Sequence, residues 1–206
     1  MRKTPMTLAL AATLVGFVPV IHAGSFTTVT TPTSITINFS GLTLSGFEFS
    51  QIAGDLGGPV YGTLTGVSVN ATLDASVNYT YADDLTLYVD HLPLSTGGLL
   101  QVGGFSNLNA AARYYWATGG SSAPGTALVD SITLASGITF TGAASDPAIW
   151  LGNGYGSNGT EGTWTGSITL TGLSTAPVPE PSTWALMALG GAGLVGWARR
   201  RKATQA

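Results

Sequence analysis

The sequence predicts an all-β body folded as an antiparallel β-sandwich, on three observations. Between residues 24 and 173 apolar and polar residues alternate with period two, most clearly at Ile35-Thr36-Ile37-Asn38-Phe39 and Leu85-Thr86-Leu87-Tyr88-Val89; successive strand side chains face opposite ways, so this alternation marks half-buried strands. Thr, Val, Ile and Tyr fill these runs, as a pleated surface prefers. Turn residues separate them, among them Gly57-Gly58-Pro59, Gly103-Gly104, Gly119-Gly120 and Asp146-Pro147, while no long amphipathic helix intervenes. Taken in order, the predicted strands are 34–40, 42–50, 60–70, 71–81, 85–91, 99–102, 112–118, 127–134, 138–141 and 163–173. Many short strands at such spacing favour two packed sheets.

Charge divides the chain of 206 residues into three parts. There are only seven Lys or Arg and ten Asp or Glu, and six of the seven bases stand at the ends. Between Gly24 and Ala176 one base, Arg113, faces nine acids, a formal −8. Nucleic acid is excluded as a partner, because phosphate binding needs clustered Lys and Arg. The absence of Cys excludes a disulfide scaffold and a thiolate metal site.

Residues 1–23 read as a secretory signal peptide: Arg2 and Lys3, an apolar run through Val18, a break at Pro19, and a small residue at Ala23. The β-sandwich body is expected over 24–173 and a linker over 174–178. Then come Pro179, Glu180 and Pro181, an uncharged stretch predicted as a transmembrane helix over about 182–198, and the basic cluster Arg199, Arg200, Arg201 and Lys202. A helix of that length rises roughly 27 Å, close to the ~30 Å hydrocarbon core. Trp184 and Trp197 suit the two interfaces, and the bases act as a cytoplasmic stop.

This three-part tail, from Val178 through Lys202, resembles the PEP-CTERM sorting signal of Gram-negative bacteria, a tail also labelled an ice-binding protein C-terminal domain. The resemblance implies that an exosortase in the inner membrane recognises Pro179, Glu180 and Pro181. Transient anchoring, cleavage and delivery to the cell surface or extracellular matrix would follow, with exopolysaccharide or other matrix components as partners there. Such a tail is an address and carries no statement about ice. The Thr-x-Thr pairs of the body start at uneven intervals, so the fixed repeat of an ice-matching solenoid is missing.

The body carries a second resemblance. Asn78-Tyr79-Thr80-Tyr81-Ala82-Asp83-Asp84-Leu85 and the later Gly162-Thr163-Trp164 look like segments of the P domain found beside subtilisin-type convertases, with Tyr79 standing where that family carries His. The resemblance implies a jelly-roll-like sandwich over about 60–173.

Candidate sites are few. Asp83 and Asp84, with Asp90 six residues on, form the densest acidic group, and carboxylates beside loop carbonyls suit a calcium ion. Tyr114, Tyr115 and Trp116 offer a carbohydrate platform, although strand alternation would turn some of these rings inward. No catalytic residue is expected: His91 is the single histidine of the body, and it has neither Lys nor Cys nor a Gly-x-Ser-x-Gly elbow. The expectation is a non-enzymatic exported protein without a required cofactor. A calcium- or carbohydrate-binding adhesion module is the first alternative and a secreted hydrolase the second.

Overall fold

The computed structural model describes residues 24–52, 56–91, 98–157 and 159–176; the signal peptide, the sorting motif, the predicted transmembrane helix and the basic stop lie outside them. The described body is all-β. Its strands are β1 (Ser25–Thr30), β2 (Ser34–Ser45), β3 (Phe49–Gln51), β4 (Tyr61–Val77), β5 (Leu85–Asp90), β6 (Leu100–Val102), β7 (Ala112–Tyr114), β8 (Thr126–Thr141), β9 (Ala148–Asn153) and β10 (Glu161–Ser174). One sheet has the order β1-β2-β10-β4-β8 and the other β3-β9-β5-β6-β7. Every pairing is antiparallel except β6 with β7. The chain changes sheet between β2 and β3, β3 and β4, β4 and β5, and again at each step from β7 to β10. This is jelly-roll-like wiring, which stacks two sheets on one core.

Alternation explains which faces meet. On β2 Ile35, Ile37 and Phe39 point inward; the phase then shifts, and Leu42 and Leu44 continue the inner row. On β10 Trp164, Ile168 and Leu170 are buried against them while Thr163, Thr165 and Thr169 face out. Threonine pairs tie the outer face, Thr36 to Thr169 and Thr43 to Thr163, each at 2.9 Å. The second sheet differs: β5 is buried at all six positions. Its Leu85, Leu87 and Val89 enter the core, whereas Tyr88 is covered on the outer side by the segment after β6. Gln101 pins that segment, its Nε2 donating to the Gly103 and Ser106 carbonyls and its Oε1 accepting from Leu108 N–H. Tyr88 Oη adds a bond to the Leu108 carbonyl.

Several predicted boundaries need correction. Runs 60–70 and 71–81 are one strand, β4, which ends at Val77. Runs 127–134 and 138–141 are likewise one strand, β8. Strand β4 runs through Asn70 and Ala71 in unbroken register, and β8 crosses Gly137 at the register shift opposite Leu64/Gly66 rather than at a turn. The run 42–50 divides between the end of β2 and β3 in the other sheet. Run 112–118 stops at Tyr114. Strands β1 and β9 were not expected at all.

Candidate functional site

The turns that join the sheets at one end of the sandwich build an aromatic, acidic cleft. Its start is the end of β4, where Asn78 (φ 52°) and Tyr79 (φ 64°) both take the left-handed conformation. Asn78 tolerates this and anchors the turn by donating from Nδ2 to the Gly159 carbonyl at 2.7 Å. A bulky Tyr at positive φ is an outlier held by its surroundings, and its ring is left 76% exposed. A single 3-10 turn follows, Ala82–Asp84. Trp164 fixes it from the core, donating from Nε1 to the Ala82 carbonyl at 3.1 Å; Trp116 fixes the next residue by donating to the Leu85 carbonyl at 2.8 Å.

Asp84 joins two walls of the cleft. One carboxylate oxygen accepts from Tyr81 N–H at 2.7 Å and the other from Phe105 N–H at 3.2 Å. The second bond depends on Gly104, at φ +78°, whose N–H donates to the Asp83 carbonyl at 2.8 Å. A Cβ at Gly104 would run into Thr86 Oγ1 and the backbone of Gly154, so only glycine lets the chain approach this closely. Desolvation by burial pushes the Asp84 carboxyl up to about 6, helped by the neighbouring Asp83 charge and opposed by its two N–H donors. Burial also raises Asp83, against the pull of its own backbone N–H.

The cleft encloses about 270 Å³ and is lined by Tyr79, Tyr81, Phe105, Tyr115, Trp116 and Tyr155 together with Asp83, Asp84 and Gly104. Phe105 and Tyr155 meet edge to face, with centroids 6.0 Å apart. Behind Tyr115 lies Arg113, its guanidinium 4.5 Å from the ring centroid. Its Nη2 donates to the Gly104 and Phe105 carbonyls. Tyr115 itself is 63% exposed.

Of the residues singled out in the sequence, Asp83, Asp84, Tyr115 and Trp116 meet in this cleft. Asp90 does not, since it closes the far end of β5, about 20 Å along the strand from Asp84. Tyr114 turns toward the core, and its Oη accepts from Ala135 N–H at 3.0 Å. Among the described residues no three His, Cys, Asp or Glu side chains come together as a metal site. Four lining rings were not anticipated: Tyr79, Tyr81, Phe105 and Tyr155. Three of them directly follow a turn residue, as Asn78-Tyr79, Gly104-Phe105 and Gly154-Tyr155. An aromatic set in a turn has no strand face to carry it into the core, and that is the signal that could have found them.

Residues 177–202 match the family described as the PEP-CTERM protein-sorting motif, so the chain carries that motif immediately after its last strand. Comparison with curated proteins and with solved structures yields no significant match.

Proposed function

We propose that this chain is an exported, non-enzymatic glycan-binding protein of the bacterial cell surface or extracellular matrix. The sorting motif supports export with transient membrane anchoring before exosortase processing. The reading of the body rests on one observation, the gathering of exposed rings around two acids at a single end of the sandwich. Aromatic faces pack against the C–H faces of sugar rings, and carboxylates and backbone groups between them orient hydroxyls. The way the acids are used supports binding over hydrolysis. Both oxygens of Asp84 are engaged by backbone N–H groups of opposite walls. Retaining and inverting glycoside hydrolases typically place two carboxyl groups on either side of the scissile bond, about 5–9.5 Å apart.

Affinity electrophoresis through gels containing the producing cell's own polysaccharide tests this. The wild-type chain should be retarded, with Tyr115→Ala and Phe105→Ala each weakening retention by about three- to tenfold. Unchanged retention in both variants would reject the cleft as the binding site. The same gels run with calcium and with chelator show whether binding requires the ion.

A further inference from the structure

We infer that the cleft takes a sugar unit bearing a protonated amine, with the ammonium seated against Asp83 and the sugar face on the exposed rings. This rests on the glycan-binding reading and narrows it to a charge class. The lining contains two carboxyl groups and no base. The two acids are not equivalent, since Asp84 spends both oxygens on Tyr81 and Phe105 N–H groups. The Asp83 carboxylate draws on its own backbone N–H, which is shared with the Gly119 carbonyl at 3.3 Å. Asp83 is thus the acid with acceptor capacity left, in a partly dehydrated setting where a cation is worth more than in water. Ring faces carry negative charge and add to the attraction.

Arg113 decides where the cation sits. Its guanidinium already lies over one face of Tyr115 and is bound to the Gly104 and Phe105 carbonyls. A second cation at that ring would meet like charge, so the ammonium belongs at Asp83 and the sugar face at Tyr115. An acidic glycan would be repelled by Asp83, Asp84 and the formal −8 of the body. A neutral glycan would cover Asp83 without replacing its water. A bare calcium ion needs 6–8 oxygen ligands, and most of this wall is aromatic carbon.

Isothermal titration of the full chain with a glucosamine tetramer and with its N-acetylated counterpart, in mildly acidic buffer, tests the inference. The free-amine tetramer should bind about tenfold tighter. Asp83→Asn should erase that margin, bringing the free-amine tetramer down to the affinity of the acetylated one, and Asp83→Glu should keep it. Melting curves establish that both variants are folded. Equal affinity for the two tetramers in the wild type overturns the inference and leaves the glycan reading standing. If neither tetramer binds while the cell's own polysaccharide does, the inference alone falls; if none of the three binds, both fall.

Discussion

At the scale of single residues, the cleft is held in a costly conformation. Tyr79 at φ 64° sits where a side chain of its type costs on the order of 1–2 kcal/mol. Glycine relieves that strain but loses more freedom on folding. Tyr79→Gly is therefore expected to raise stability by up to about 1 kcal/mol, seen as a higher melting temperature, while weakening glycan retention. A variant that is both less stable and equally retained would show that Tyr79 serves the fold alone. Asp84 sets a pH dependence. Its folded carboxyl holds a proton up to about 6, whereas an unfolded Asp releases it near 3.9. Between those values the folded chain binds more protons than the unfolded one, so stability falls as pH rises from about 4 to 6. Asp146 acts in the opposite sense below that window. Burial opposes the shift, but donors from Thr141, Gly142 and Ala143 outweigh it and lower its carboxyl, so stability is lost as pH falls below about 4. Melting temperature against pH should peak near 4 and decline toward 6, and Asp84→Asn should flatten the decline. A wild-type curve that rises between 4 and 6 would contradict the burial of Asp84.

At the scale of elements, β10 organises the larger sheet, because it pairs with β2 on one side and β4 on the other. Its ladder with β4 skips between Thr171 and Leu173, where Leu173 pairs with Gly62. Gly172 lies in that skip at φ +90°, and a Cβ there would strike the Thr63 carbonyl. Gly172→Ala should therefore cost about 1–3 kcal/mol, with urea unfolding showing a lower midpoint at unchanged slope. A change below a few tenths would mean the bulge adapts freely. The same elements show what the sequence made legible. Runs with one wet face, such as Ile35 to Phe39, announce themselves by alternation. Strand β9 does not, since Ile149, Trp150 and Leu151 are buried one after another between the core and the opposite covering, and Asp146-Pro147 before it reads as a turn. Edge strand β1, Ser25–Thr30, is mostly Ser and Thr and largely exposed, so it has no apolar face to betray it. Strand β8 looks broken because the register shift near Gly137 interrupts the pairing without ending the ladder. Of the cleft, Asp83, Asp84, Tyr115 and Trp116 could be picked out as residue types, but their meeting depends on turns far apart in the chain.

At the scale of the whole molecule, the direction of β10 links the cleft to the tail. Glu161 at its start pairs with Val77, beside the turn that carries Tyr79, and Ser174 at its end pairs with Tyr61. The sorting motif begins three residues after Ser174, so the cleft and the tail leave from opposite ends of a strand about 40 Å long. A chain tethered by its C-terminus would hold the aromatic end away from the bilayer. Bases stand at both ends of the sequence, and the body between them is formally −8, a net charge that favours solubility. Processing within the sorting motif at 177–202 would remove nothing from the sandwich, because β10 is complete at Ser174. Deleting Pro179–Pro181 should therefore change location without changing the fold. The deleted chain is expected in the inner-membrane fraction at full length, with the melting temperature of its body unaltered, while the unmodified chain appears shortened outside the cell. Fractionation followed by immunoblotting of the body reads both outcomes. Equal release of the two chains would show that the Pro-Glu-Pro motif is not what frees this body from the membrane.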